Sequence, residues 1–185
     1  AYYNAANELY DMFVAAAQHV IDNNLFHEVG IPFNLVELVK QSWENEVCWH
    51  LYGRFDLAGG LDGKPIKLIE FNADTPTAVF ETAIIQWAML KFNKMDESSQ
   101  FNDLYAALTE NFKRLVVLDG DTDEFSRYYE GWKILFSSVA GSIEDENTVR
   151  LLQSAASEAG FTTDFAYVNE VEFSDENGIF KGDEN

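Results

Sequence analysis

Two hydrophobic periods alternate along the chain. Leu9, Met12, Phe13, Ala16 and Val20 recur every three or four residues, so residues 4–23 are predicted to form an amphipathic helix. Pro32 suits a helix start, and a second helix is expected from there to about Asn45. The period then shortens to two. Leu51-Tyr52-Gly53-Arg54-Phe55-Asp56 and Leu68-Ile69-Glu70-Phe71-Asn72 flank Ala58-Gly59-Gly60-Leu61-Asp62-Gly63-Lys64-Pro65, which is rich in turn formers. That combination predicts a β-hairpin. Helical spacing returns over residues 76–93, with Thr75 as N-cap and Pro76 in the first helical position. A further helix is expected over 99–117. Lys133–Val139 reads as a strand, Ser142 as the cap of a helix over 144–159, and Gly160 as its stop. Glu144, Asp145 and Glu146 suit the positive end of that helix. With a second strand over 162–169, residues 132–169 make a β–α–β unit of the kind found in parallel sheets. The last fifteen residues suggest a short exposed hairpin around Glu176-Asn177-Gly178.

The central hairpin has two chemically different faces. Folded symmetrically about Gly63, it pairs Asp56 with Glu70 and Arg54 with Asn72, each pair about 5 Å apart at Cβ. The other face pairs Phe55 with Phe71 and Leu57 with Ile69. Two carboxylates, an amide and a guanidinium on one face suit magnesium nucleotide chemistry. Mg²⁺ takes hard oxygen ligands, uses few protein carboxylates and completes its shell with water and phosphate. A Glu between an Asp and an Asn can bridge two ions on the β- and γ-phosphates, and a neighbouring Arg can stabilise a transferring phosphoryl group. The alternative is a surface hairpin whose charges simply pair across the strands. R-x-D and E-x-N each arise easily by chance.

The segment Asn72-Ala73-Asp74-Thr75-Pro76-Thr77 leads directly into the expected helix. A helix N-terminus offers unpaired N–H groups and a positive dipole end, which attract carboxylate or phosphate. Thr75 and Thr77 add hydroxyl donors for an acidic substrate. The local alternative is capping, with Thr75 and Asp74 stabilising their own helix.

Composition narrows the classes. The chain has 185 residues, enough for one sizeable domain or one plus part of another, and 47% apolar content with 15 Phe promises a substantial core. No run approaches the roughly 20 apolar residues of a membrane span, and no signal peptide is visible. The single Cys48 rules out an internal disulfide and fits a reducing, cytoplasmic setting. A net charge of −20 argues against nucleic-acid binding, which needs a basic footprint. It would attract a polycation, although an acidic solubilising surface explains it as well.

Other motifs carry less. Asp119-Gly120-Asp121-Thr122-Asp123 with Glu130 has the acidic spacing of a calcium-binding loop, but Glu124 stands where the sharp turn requires glycine. A solvated acidic loop is the better reading. His19, His27 and His50 lack metal-ligand spacing, and His50 beside the first strand suits packing. Cys48 has no adjacent base and reads as a small buried group. Gly59, Gly60 and Gly63 belong to a turn, since no Lys-Ser/Thr follows and no helix opens there.

R-x-D followed after about a dozen residues by E-x-N resembles the metal-binding signature of ATP-grasp ligases. The longer string, Leu51-Tyr52-Gly53-Arg54-Phe55-Asp56-Leu57 through Lys67–Thr77 to Glu81 and Gln86-Trp87, resembles the glutathionylspermidine synthase family. It is most similar to that family's stand-alone acid–amine ligases, which lack the amidase half. The resemblance implies a mixed α/β fold: an antiparallel metal-binding hairpin of the permuted ATP-grasp fold and a pre-ATP-grasp, Rossmann-like β–α–β unit. The expected divisions are 1–97 and 98–185, or one continuous domain. It further implies that Asp56, Glu70 and Asn72 hold two Mg²⁺, with Glu70 shared. Arg54 would touch ATP and the acyl-phosphate-like transition state, Asp56 would serve the Mg–ATP, and Thr75 would contact the acid substrate. The implied reaction joins an acid, glutathione-like, to an amine, polyamine-like, through an acyl phosphate. The lysines, glycine-rich flap and adenine pocket of such a ligase are not among these residues. The chain therefore looks like an N-terminal portion, not expected to turn over alone. A non-catalytic acidic scaffold and a calcium-responsive module remain the competing classes.

Overall fold

Phe55 and Phe71 decide how the first part of the chain packs. They lie opposite each other on the hairpin of β1 (Arg54–Ala58) and β2 (Lys67–Asn72), with rings stacked at 4.1 Å. Helix α1 (Tyr2–Asp22) lays Phe13 against them, 5.0 Å from the Phe71 ring and 6.3 Å from Phe55. Tyr10, one helical turn before Phe13 and so on the same side, meets the edge of Phe71 at 6.4 Å. His50 stacks on Tyr10 at 5.7 Å, a packing role. A 3₁₀ turn, Phe33–Leu35, precedes helix α2 (Val36–Glu44). Trp43 of α2 donates its indole N–H to Gln18 Oε1 of α1 at 2.8 Å, tying the two helices together.

The computed structural model describes residues 1–45, 50–73, 77–100, 102–116, 133–174 and 178–182. Its residues cluster into two compact units, Ala1–Thr75 and Pro76–Asn185. Cys48, Thr75 and the acidic stretch Asp119–Glu130 lie outside the described residues.

The hairpin turn depends on glycine. Gly59 and Gly60 sit at φ +86° and +75°, where an L side chain is strained. A Cβ on Gly59 would also stand 2.1 Å from the Pro65 carbonyl oxygen. The Tyr2 hydroxyl donates to the Gly59 carbonyl at 2.5 Å, fastening the start of α1 to this turn.

The register matches the expected one at Arg54–Asn72, Phe55–Phe71 and Asp56–Glu70, then departs from it. Leu57 pairs with Leu68, where symmetry about Gly63 required Ile69. A β-bulge beside Asp56 accounts for the slip: one residue of β2 has no partner, and the alternation of faces shifts by one. Ile69 is consequently 67% exposed and lies outside the apolar face assigned to it.

In the second unit the helical segment begins at residue 79, later than expected, with residues 77 and 78 outside it; Pro76 lies outside the described residues. Ala78 has φ +68°, which no α-helix accommodates. A π-helical turn, Glu81–Ile85, leads into α3 (Gln86–Phe92). A 3₁₀ turn, Glu97–Ser99, follows, its Ser98 N–H bonded to Asp96 Oδ1 at 2.9 Å. Helix α4 (Leu104–Val116) starts later than the expected residue 99. The Asn102 side chain accepts the Leu104 N–H at 3.1 Å, the side-chain-to-backbone bond that sets a helix start.

The expected β–α–β unit is present. β3 (Ile134–Ser138) pairs in parallel with β4 (Thr163–Tyr167), connected by α5 (Ile143–Glu158). Ser142 precedes α5 as expected but makes no capping bond with its side chain. The core gathers Leu108 and Phe112 of α4 with Leu151, Ala155 and Ala156 of α5, all buried, and Ala166 of β4. Arg150 of α5 covers the Phe165 ring at 3.5 Å, and Tyr167 donates to Glu146 at 3.1 Å. A closing antiparallel pair, β5 (Val171–Ser174) and β6 (Gly178–Lys181), occupies the tail where a hairpin was expected. The result is a mixed α/β chain with small sheets.

Candidate functional site

Alternation along β1 and β2 puts Arg54, Asp56, Glu70 and Asn72 on one face of the hairpin, opposite the stacked phenylalanines. Arg54 lies at the centre. Its Nε donates to Asp56 Oδ1 at 2.8 Å and its Nη2 to Asp56 Oδ2 at 3.3 Å. The same Nη2 stands 3.5 Å from Glu70 Oε1. Asn72 is the cross-strand neighbour of Arg54. The side chains of Arg54, Asp56 and Glu70 are 32%, 37% and 54% exposed, open enough for a ligand to reach without a conformational change.

The electrostatics follow from this contact. Hydrogen bonding from Arg54 holds the Asp56 carboxyl below the usual carboxylate range. Partial desolvation opposes that effect, and the guanidinium charge and the neighbouring Glu70 reinforce it. Asp56 is therefore an anion at neutral pH, as a metal ligand must be. The bulge beside Asp56 belongs to a class of irregularity that often re-aims side chains next to functional sites.

The donor set decides which ion these residues suit. Among the described residues no group of three or more His, Cys, Asp and Glu side chains stands in a metal-holding arrangement. The hairpin offers two carboxylates and one amide oxygen, all hard donors. That set is too small for a closed zinc cage and fits Mg²⁺, which keeps waters and takes phosphate oxygens. An ion there would have to compete with Arg54 for Asp56 and Glu70.

Thr75 is outside the described residues, and Thr77 belongs to the second unit, half-buried, one residue before Ala78. Sequence reading missed two features there: the left-handed Ala78 and the π turn that follows it. A left-handed alanine has no sequence signal, because nothing in its side chain favours that conformation. A separate apolar groove of about 540 Å³ runs between α1 and α2, lined in part by Tyr10, Val14, Leu38 and Trp43. It contains none of the site candidates. Among the described residues no helix is long and apolar enough to cross a membrane.

Residues 1–185 match the family model described as glutathionylspermidine synthase preATP-grasp, and the chain belongs to that family. It is 34% identical over 121 residues to a Haemophilus influenzae protein named "Putative acid--amine ligase", covering 65% of this chain and 30% of that protein. It is 27% identical over 165 residues to the glutathionylspermidine synthase of Crithidia fasciculata, covering 86% of this chain and 21% of that enzyme. The chain thus spans less than a third of either relative's length.

Proposed function

We propose that the protein carrying this chain is an ATP-dependent acid–amine ligase and that the hairpin is its magnesium–phosphate face. Arg54, Asp56 and Glu70 in mutual contact, with Asn72 opposite Arg54, carry this reading, because the four groups share one exposed face. The family membership and the names of the relatives support the reaction class.

Asp56, Glu70 and Asn72 would hold two Mg²⁺, Glu70 serving both. Bound there, the ions supply charge neutralisation on the ATP phosphates. In the reaction, a substrate carboxylate oxygen attacks the γ-phosphorus and ADP leaves. The amine nitrogen of the second substrate then attacks the acyl carbon, loses a proton, and expels phosphate carrying the former carboxylate oxygen. Arg54 has the chemistry to stabilise charge on the transferring phosphoryl group, a preorganised electrostatic role. Thr75 and Thr77, three and five residues after Asn72 in the sequence, are assigned to the carboxylic substrate. Glutathione is the first acid to try and spermidine the first amine, from the name of the Crithidia fasciculata relative.

The test follows the oxygen. With the full natural protein, ATP, Mg²⁺, spermidine and glutathione labelled with ¹⁸O in its carboxylates, ADP should form and label should appear in inorganic phosphate. AMP and pyrophosphate as products, or unlabelled phosphate, would contradict the acyl-phosphate route.

One observation favours a second reading. Arg54 already pairs with both carboxylates, as it would in a non-catalytic module whose hairpin charges only stabilise the fold. Such a module would bind nucleotide no better with Mg²⁺ than without it.

A further inference from the structure

Helices α1 and α2 turn apolar walls towards a groove that the described residues leave open. Leu35, Leu38 and Trp43 line one wall, and Tyr10 and Val14, one helical turn apart, line the other. These five side chains are between 39% and 59% exposed. The Trp43 indole N–H is already satisfied by Gln18, so that side chain is fixed and its polar group needs no further partner.

The first unit has almost no core of its own. Among the described residues, Phe26 is the one apolar side chain of Ala1–Thr75 that is fully buried; the rest of the core, from Val79 to Ala166, belongs to the second unit. Neither α1 nor α2 buries a residue, although α1 is 21 residues long. Helices in proteins draw most of their stability from packing an apolar face against something else. Contiguous bare apolar surface with a polar rim marks an interaction site.

Charge and length choose the occupant. α1 and α2 carry Glu8, Asp11, Asp22, Glu37 and Glu44 against Lys40, and Lys40 is already paired with Glu37 at 3.3 Å. A second copy would bring the same carboxylates face to face, each copy having a net charge of −20, and like charges set against each other disfavour a partner. An occupant with basic flanks meets the same rim favourably. Both relatives extend well beyond the match, since the aligned stretch is 30% of one and 21% of the other. An apolar groove of this kind accepts a further helix that offers anchors at i, i+3 or i+4, and i+7.

We propose that the α1–α2 groove seats an amphipathic helix, basic on its flanks, from the part of the same natural polypeptide outside residues 1–185. The seat borders the hairpin. Tyr10 lines the groove, stacks on His50 and meets the edge of Phe71, and the Phe71 ring stacks on Phe55 behind Arg54 and Asp56. A helix docked there steadies the aromatic layer that supports the polar face.

Photocross-linking of the full natural protein tests this, with Leu38→p-benzoylphenylalanine as the probe at an exposed point of the groove wall. On irradiation, cross-links should join this position to residues of the same polypeptide outside 1–185, with a yield independent of protein concentration. Cross-links to residues within 1–185, or between two copies with a yield that rises with concentration, would overturn the proposal. Leu38→Glu supplies a second measurement. A carboxylate pressed under a docked helix should lower the melting temperature of the full natural protein by about 4 °C or more. An open groove predicts a change within about 1 °C, the range of an ordinary surface substitution. No cross-link together with an unchanged melting temperature would also overturn it.

Discussion

Asp56 and Glu70 are direct cross-strand partners, and Arg54 bonds to Asp56 while its Nη2 reaches Glu70 at 3.5 Å. Two like charges opposite one another would weaken a hairpin; a shared guanidinium offsets that repulsion. The arrangement persists on an exposed face and is held from behind by the Phe55–Phe71 stack.

Removing either carboxylate separates catalysis from folding. Asp56→Asn and Glu70→Gln should each lower ATP-dependent ligation by the full natural protein about a hundredfold or more, the scale on which lost electrostatic stabilisation appears. Their melting temperatures should stay close to wild type, because exposed ion pairs contribute little to stability. Turnover within a few-fold of wild type in both variants would remove them from the metal site.

Arg54→Met tests the competition between guanidinium and metal. Loss of the competing cation should tighten binding of Mn²⁺, used as a paramagnetic stand-in for Mg²⁺, while ligation is lost. Unchanged Mn²⁺ affinity together with a lower melting temperature would support a structural charge pair instead.

Asp56 should titrate below the ordinary aspartate range of about 3.9, because Arg54 bonds to its charged form. A depressed pKa means that the stabilisation is present above the unfolded-state value and is lost as the pH falls through the folded-state value. The pH dependence therefore lies wholly in the acid range, and no change is expected near neutrality from this group. Carboxyl carbon NMR should show the Asp56 midpoint rising in Arg54→Met. A midpoint unaffected by that substitution would mean the contact does not form in solution.

Gly59 and Gly63 both have positive φ but differ in surroundings, since a Cβ on Gly63 meets nothing within 4 Å. Gly63→Ala should cost about 1 kcal/mol from backbone strain alone. Gly59→Ala adds a collision with the Pro65 carbonyl and should cost clearly more. Equal chemical denaturation midpoints for the two variants would contradict the turn geometry described.

How far the chain could be read in advance varied with the physics of each element. The hairpin register near Asp56 was legible because period-two alternation and a glycine-rich turn restrict it strongly. The bulge was not, because Leu57, Leu68 and Ile69 are all apolar and nothing in their chemistry says which one goes unpaired. The β3–α5–β4 unit was legible from apolar runs, first-turn acids and the Gly160 stop. The helix after Thr77 starts later than a proline-led first turn suggests, because Ala78 is left-handed and its carbonyl takes the local bonds of Thr82 four residues on, a conformation that no side chain there announces. The polar face of the hairpin could be assembled from sequence, but the position of Arg54 between the two carboxylates could not, since rotamers of long side chains leave no pattern.

Calorimetric titration of the full natural protein with a non-hydrolysable ATP analogue, with and without Mg²⁺, addresses the hairpin most directly when wild type is compared with Glu70→Gln. Mg²⁺ should strengthen nucleotide binding in wild type, and this magnesium dependence should disappear in the variant. Magnesium-dependent binding of equal strength in both proteins would contradict it.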